Sequence, residues 1–590
     1  MIGKLIRQML SAQIFSALAV SLCLLVDNIM IGRFLKEQAM AAYILANPLL
    51  LSIGAIGTLL SAGIQVACGK SLGSGSREET DAGYSSALTI TAGVSLLFMA
   101  VVLLLSGFLA RAMGAGADGE LHEMTKGYLR GFSIGAPGCM GALVMVPFLQ
   151  MAGQSTLLIV GVLAMTVTDI ALDLLNVLVF HGGMFGMGLA SSLSYYVVIA
   201  IVGVYFLSKK CVFRFSFRLV TLRKIAELIG SGIPACFNMA SSIILVFLLN
   251  RILRATGGQT ALAAYAAITA LGNAANCVTT GIGGVSLTLS GIFFHEEDRT
   301  GLRTLVRTLC QYGAVLGLGM AALLVVFAPA LVSLFIPDAD STQRVAVLGL
   351  RLFAAGMIPC CLNNALKYVW QGTGRVFLTV LVSLLEGAFF PVLAAFAFSR
   401  FMGTTGVWLY FIAGETVTLL FIGLLTAAIA RKQPWKDGAV LLLKEDFGVA
   451  PDCLLEMDIH SMQEVAEAAE KAGRFCLRHG QNAKVSNHIA LCVEEMAANT
   501  IEHGFAMDRK HHDLSVRLLK KEEDLVLRFR DDCGAFDPVQ YIPKDDEDAL
   551  GIRLILAFAK EARYTYALNL NNVCIRIVCI PTGEEDQTEE

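Results

Sequence analysis

A succession of apolar runs, each roughly 20 residues long, fills the chain from about Met1 to Ile429 and constrains its fold more than any other feature. Coiled as a helix, such a run crosses about 30 Å of hydrocarbon while pairing its own backbone polar groups, which lipid does not satisfy. Twelve runs can be counted. From about Arg431 to Glu590 the sequence instead mixes charges as a soluble domain does. The chain as a whole is 56% hydrophobic and only 16% charged, too apolar for an ordinary soluble surface. The expected fold class is therefore an all-α polytopic membrane protein of twelve transmembrane helices, followed by a C-terminal α/β two-layer sandwich. The first run is not expected to be a cleavable signal, because VDNIMIGR follows it where small residues would mark a cleavage site.

Loop charge orients the spans. The stretch between runs six and seven carries Lys209, Lys210, Arg214, Arg218, Arg223 and Lys224, which places it in the cytoplasm. Lys4 and Arg7 at one end, and Arg431, Lys432 and Lys436 at the other, then fall on the same side, while the acidic loop at Asp338 and Asp340 faces outward. A membrane with both termini on the cytoplasmic side is the expected setting. The 15 Cys are scattered through helices without metal-ligand spacing, so structural disulfides are not expected in that compartment.

The sequence repeats at a shift of 221 residues: LRGFSIG, with Arg130 and Gly135, returns as LRLFAAG, with Arg351 and Gly356. Gln150 and Gly153 likewise return as Gln371 and Gly374, and Gly63 meets Gly284. Six runs per copy is an even number, so the two six-helix repeats are parallel, with an axis along the membrane normal. The expected parts are residues 1–215 and 216–432 as two lobes, 433–452 as linker, 453–582 as the soluble domain and 583–590 as an acidic tail.

Carboxylates inside apolar runs carry the chemistry. Asp169, Asp173 and Asn176 share one face of TVTDIALDLLNVLVF, and Asp27 sits late in the first run. A carboxylate at bilayer depth costs several kcal/mol unless neutralised, paired or wetted, so the group reads as a place for H⁺ or Na⁺ on a transport pathway. The plainer alternative is a structural hydrogen-bond network, with Asn176 as helix–helix glue. Glu386 and Glu415 in the last two runs are further candidates for ion coupling, unless one of them is neutralised with Lys367 as an ion pair across helices. Gly63, Gly135, Gly284 and Gly356 read as close helix contacts, Pro137 and Pro359 as kinks.

In the soluble part, Gln463–His479 and Val485–His503 have helical periodicity. LSVRLLK, LVLRFRD, YTYALNL and NVCIRIVCI read as strands, and DALGIRLILAFAKEA as a helix, giving helices on one side of a mostly antiparallel sheet. Glu495, Asn499 and His503, at spacings of four, present a carboxylate, an amide and an imidazole suited to Mg²⁺, phosphate and proton transfer. Asp532 and Gly534 in DDCGAF follow at a strand end, where a carboxylate can accept from an adenine amino group and a glycine lets the backbone approach. Alone, the helix trio would be a wetted surface stripe.

The membrane part resembles the multidrug and toxic-compound extrusion (MATE) family, on VDNIMIGR, the glycine-rich second run, GSGSREET, the Pro–Gln–Gly pattern at 137–153 and the duplicated halves. The resemblance implies export of organic, often cationic, small molecules in exchange for Na⁺ or H⁺. It places Asp27 and Asp173 on the family's acidic positions, with Asp169 an additional carboxylate where the family commonly has Asn. The loop FFHEEDRTG departs from the family's glycine-rich form. The soluble part resembles the Bergerat-fold ATPases, specifically anti-sigma-factor serine kinases. That resemblance implies ATP and Mg²⁺ as ligands, Glu495 as general base, Asn499 on the metal, and His503, Asp532, Gly534 and Gly551 around the nucleotide. Arg553 stands where a second glycine is usual, which favours binding over phosphoryl transfer. The implied partners are cargo, membrane lipid and an anti-sigma-antagonist-like protein; nucleic acid is not expected. The competing reading is a membrane-anchored signalling protein whose kinase-like domain binds or phosphorylates a regulatory partner and whose transport has been lost.

Overall fold

The computed structural model describes residues 2–116, 119–208, 211–336, 341–430, 438–444, 447–506, 511–521, 523–540 and 555–580. Gly551, the stretch Tyr541–Ala549 and the acidic tail fall outside these, as do Asp338 and Asp340. Among the described residues, ten helices are long and apolar enough to cross a membrane, or twelve spans when each of two bent pairs counts as one. In the N-terminal half these are α1 (Ile2–Phe34), α2 (Lys36–Gly73), α3 (Arg77–Ala112), the pair α4 (Glu120–Ser133) and α5 (Ala136–Met151), α6 (Ser155–Leu175) and α7 (Gly183–Phe206). In the C-terminal half, α8 (Leu222–Ala275) is broken at Gly258, so it supplies one span and begins the next, which α9 (Cys277–His295) completes. There follow α10 (Arg299–Ser333), the pair α11 (Ser341–Ala355) and α12 (Met357–Gly372), α13 (Val376–Leu384) continued by α14 (Phe390–Met402), and α15 (Thr404–Val407) with α16 (Tyr410–Ala430).

The halves reproduce each other in backbone detail. Both bent pairs break just before a repeated glycine, Gly135 and Gly356, with bends of 44° and 43°. Gly153 and Gly374 both take positive φ, +73° and +80°, at the turn that follows, a conformation with little cost only for glycine. A π-turn interrupts the next span in each half, at Asn176–Phe180 and Leu385–Phe389. Where the halves meet, small residues allow contact of backbones: a Cβ on Gly63 would lie 2.0 Å from Leu228 O, and one on Gly232 2.1 Å from Leu59 O.

The soluble part has a five-stranded antiparallel sheet in the order β1 (Leu454–Ile459), β2 (Leu514–Lys520), β3 (Asp524–Asp531), β5 (Leu570–Val578) and β4 (Glu561–Ala567). Helices α17 (Met462–Arg478) and α18 (Ala483–Asn499) cover one face with a core that includes Phe475, Ile489, Val493, Val516, Leu527 and Phe529. The expected strand YTYALNL is divided by a turn: Leu568 and Asn569 both have positive φ, so β4 and β5 form a two-residue hairpin. β1 is a strand that periodicity had not marked.

The other face of the sheet rests on the loops of the membrane part. Arg517 pairs with Asp298, Arg530 with Glu296 at 2.6 Å and Lys521 with Glu297, while Arg528 donates to Glu296 O at 2.8 Å. On the N-terminal half, Lys4 donates to Asp532 at 2.7 Å, Arg563 to Ser74 O at 2.7 Å, and the hairpin's Leu568 N–H to Met151 O at 2.6 Å. The unusual acidic loop after the eighth span thus meets a row of arginines. Among the described residues no disulfide links the cysteines.

Candidate functional site

Three carboxyl groups meet inside the N-terminal half. Asp27 comes from the outer part of α1, Asp169 and Asp173 from successive turns of α6, and all are buried at 7%, 3% and 0% exposure. Asp27 lies within hydrogen-bonding reach of both partners, and the Ser194 hydroxyl and Cys23 thiol lie within reach of Asp169. Carboxylates only accept, so contact among them satisfies nothing unless a proton or cation is shared. Asp27 Oδ1, Asp169 Oδ1 and both Asp173 oxygens indeed have no hydrogen-bond donor. Such an orphaned set has the chemistry of a site for H⁺ or for a cation that takes oxygen ligands. Asn176, on the same face, does something else: its Nδ2 donates to Gly183 O at 3.1 Å, tying the π-turn to the start of α7.

The C-terminal half holds its acids differently. Glu386, in the π-turn after α13, pairs with Lys367 of α12 at 2.6 Å, with both side chains buried. Glu415 of α16 accepts from Asn363 Nδ2 at 2.8 Å. Cys360, Glu386 and Glu415 offer ligand atoms within 4.8 Å of one another, but the ammonium of Lys367 already supplies the cation there.

In the soluble domain, α18 ends at Asn499 and passes into a π-turn, Thr500–Gly504. Glu495 and Asn499 are half-buried, while His503, inside the π-turn, is exposed. Gly504 packs on the strand-end loop, where an added Cβ would lie 2.9 Å from Cys533 Sγ. The two aspartates of DDCGAF diverge by strand alternation. Asp531 shares the helix-facing side with Phe529; its Oδ1 accepts from Asn571 Nδ2 at 2.7 Å and from Cys533 N at 3.0 Å. Burial pushes its carboxyl up, against the pull of those donors. Asp532 faces the membrane part, accepting from Lys4, from Asp513 N at 2.9 Å and contacting His512 Nδ1 at 3.1 Å. Burial opposes its ionisation, but these donors, Lys4 first, hold it below the usual carboxylate range. Asn571 O δ1 also accepts from Phe536 N and Tyr564 O–H, so Asp531 and Asn571 form one connected polar pair. Neither stood among the sequence candidates. Strand parity pointed to Asp531, since Arg528 and Arg530 occupy the alternate face; Asn571 had no local signal.

Both parts of the chain are similar to known proteins. The MatE family model matches residues 12–175 and 234–395, more than half of the chain, and the model of the histidine kinase-like ATPase domain matches residues 460–577. Multidrug export protein MepA of Staphylococcus saprophyticus is 24% identical over 429 residues, covering 70% of this chain and 91% of that protein. Protein DETOXIFICATION 44, chloroplastic, of Arabidopsis thaliana is 25% identical over 364 residues, covering 60% of this chain and 66% of its own length. A solved outward-facing conformation of a multidrug resistance MATE family transporter superposes with a TM-score of 0.67 at 19% identity, covering 71% of this chain and 94% of that one. A MATE structure in the bent conformation gives 0.64 at 20% identity, covering 71% and 93%. The chain is a multi-pass membrane protein that belongs to the MatE family of transporters and carries, fused after its last span, a histidine kinase-like ATPase domain.

Proposed function

We propose that this protein is a secondary antiporter of the bacterial cytoplasmic membrane that exports organic, cationic small molecules in exchange for Na⁺ or H⁺, with a cytoplasmic nucleotide-binding domain that regulates it. Twelve spans in two parallel six-helix repeats, residues 1–215 and 216–432, form the transporter; 433–452 link it to the regulatory domain at 453–582. One observation carries the reading: four buried, donor-less oxygens on Asp27, Asp169 and Asp173 in one half. A coupling ion and a cationic cargo would use these carboxylates in turn, each favouring an opposite-facing state, which is what prevents a leak. One charge moving down about 100 mV releases about 2.3 kcal/mol, so no nucleotide hydrolysis is required for work. Asn176 would position α7 beside the site. Glu386 and Glu415, compensated by Lys367 and Asn363, would respond to the cycle without carrying the ion.

For the nucleotide, the donor set fits at the base and metal ends. Asp531, ordered by Asn571, would accept from the adenine amino group in place of Asp532, and Gly534 would let the backbone approach the ring. Asn499 would hold Mg²⁺ through its amide oxygen and Glu495 would serve as base; the bound nucleotide would supply a phosphoryl group. His503 would reach the phosphates only from the surface, and Gly551, outside the described residues, is kept as a nucleotide-site residue by resemblance alone. Because the sheet's second face is covered, an anti-sigma-antagonist-like protein partner would approach over α17 and α18.

The deciding experiment places the purified full chain in liposomes with an organic-cation dye and an imposed Na⁺ or proton gradient. Dye movement by the wild type under one gradient, lost in Asp173→Asn, is expected. No movement of any cation or dye under either gradient would overturn export and favour the membrane-anchored signalling reading.

A further inference from the structure

Among the described residues, the buried apolar clusters shared by the two halves lie toward their cytoplasmic ends. There Ile6 and Met9 of α1, Ile64 of α2 and Val285 and Leu289 of α9 pack in one cluster. Further out the halves have separate cores, one around Ile31, Tyr43 and Tyr128, the other around Leu253, Tyr265 and Trp408. The membrane part is thus closed on the side where the soluble domain sits.

That domain touches both halves at once. Its arginine face holds the loop between α9 and α10: Arg530 on Glu296 at 2.6 Å, Arg528 on the Glu296 carbonyl, Arg517 on Asp298. Asp298 also caps α10, accepting from Gly301 N at 2.7 Å, so the clamp grips a helix end and not a free loop. Burial alone would push the Asp298 carboxyl up, but the Arg517 charge and the Gly301 N–H hold it below the usual range. The β4–β5 hairpin engages the other half: Leu568 N–H bonds Met151 O, an added Cβ on Gly153 would lie 2.4 Å from Asn569 N, and Leu568 and Leu570 are buried in the core that the two halves share. Lys4, at the inner end of the helix that bears Asp27, is held by Asp532.

We propose that the ATPase-like domain is a staple across the cytoplasmic ends of the two halves, and that an inward-facing state forms only when its arginine face leaves Glu296–Asp298 or its hairpin leaves the Met151–Gly153 turn. The two halves cannot part at their inner ends while one rigid sheet is bonded to both. The acidic residues Glu296–Asp298 are the complement of that sheet's basic side chains. The staple rests on the transporter reading above, since it matters only to halves that move.

The test is hydrogen exchange on the full chain in lipid nanodiscs, read by mass spectrometry, without cargo or gradient, so that a failed flux assay and a failed staple are separate results. Arg530→Glu and, independently, Leu568→Asp, which keeps a residue tolerant of positive φ in the turn, are compared with wild type and with the swap Arg530→Glu/Glu296→Arg. Each single variant is expected to raise exchange about tenfold or more at the hairpin and in the inner halves of α1 and α9, while β2 and β3 stay protected. The swap is expected to return toward wild type. Exchange that rises at the hairpin but not in α1 and α9, or that rises nowhere, overturns the proposal.

Discussion

The two halves of the membrane part share bends, positive-φ glycines and π-turns, yet they treat buried acid in opposite ways. In the N-terminal half Asp27, Asp169 and Asp173 face one another with four oxygens lacking donors. In the C-terminal half Glu386 has Lys367 at 2.6 Å and Glu415 has Asn363 at 2.8 Å. The first arrangement leaves oxygens unpaired, which under the proposed exchange a mobile cation would complete; the second carries its own cation. A buried carboxylate therefore does not identify an ion site by itself. Under the transport reading proposed above, the unpaired oxygens of the N-terminal half, and not its carboxylates as such, mark the coupling site.

Substitutions that remove charge should separate the halves most sharply in transport. Asp173→Asn is expected to lower gradient-driven dye movement by about 100-fold or more, because it removes a shared ligand from every turn of the cycle. Glu415→Gln, which keeps an acceptor for Asn363, should cost less than about fivefold. Equal losses in initial-rate measurements would erase the distinction drawn here.

Stability should move in opposite directions. Lys367→Met strands Glu386 in the core and is expected to destabilise the protein by about 3–5 kcal/mol, and Lys367→Met/Glu386→Leu should recover most of it. Asp173→Asn relieves crowding among carboxyl groups and should leave the ion-free protein as stable or more so. Thermal unfolding in detergent, with and without added Na⁺, reads both; a destabilised Asp173→Asn would mean that its carboxylate has a fixed partner.

The soluble domain poses the same contrast on a smaller scale, between adjacent aspartates. Asp531→Asn should weaken ATP binding to the full chain by about tenfold, the equivalent of one lost hydrogen bond to a charged group. Asp532→Asn, on the membrane-facing side, should stay within about threefold. Titration with and without Mg²⁺ checks this, and a larger loss for Asp532→Asn would return the adenine contact to that residue.

Much of this was legible in residues. Apolar run length located the spans, the repeat predicted which glycines permit close approach, and helical spacing joined Asp169 to Asp173. What was not legible depends on distant partners. The acidic loop Glu296–Asp298 reads only as a departure until the arginines of β2 and β3, more than two hundred positions away, are set against it. The four-residue spacing of Glu495, Asn499 and His503 likewise does not encode the π-turn that follows Asn499, nor that His503 is the exposed member of the three. Lys367 and Glu386 were visible as a candidate ion pair, but it takes α12 of a bent pair and the π-turn after α13 to bring them together.

The smallest expected effect concerns how the soluble domain holds each half. Its grip on the N-terminal half is largely apolar and backbone in kind, through Leu568, Leu570 and the Met151 carbonyl; on the C-terminal half it depends on ionised Asp298 and Glu296. Asp298→Asn removes the charge paired with Arg517 while retaining a good N-cap for α10, so it isolates the ion pair from the cap. The cost at neutral pH is expected to be about 1 kcal/mol, since Arg517 remains partly in water. The Asp298 carboxyl is held below its ordinary range, so this contribution is complete above about pH 4, the unfolded carboxylate value, and is lost as pH falls through the lower folded value. Unfolding midpoints of wild type and Asp298→Asn should accordingly run parallel from pH 7 to about 5 and converge as acid is added. Midpoints that stay apart at the acid end would mean that Asn disturbs the cap, and that the arginine face contributes less to the C-terminal half than its ion pairs suggest.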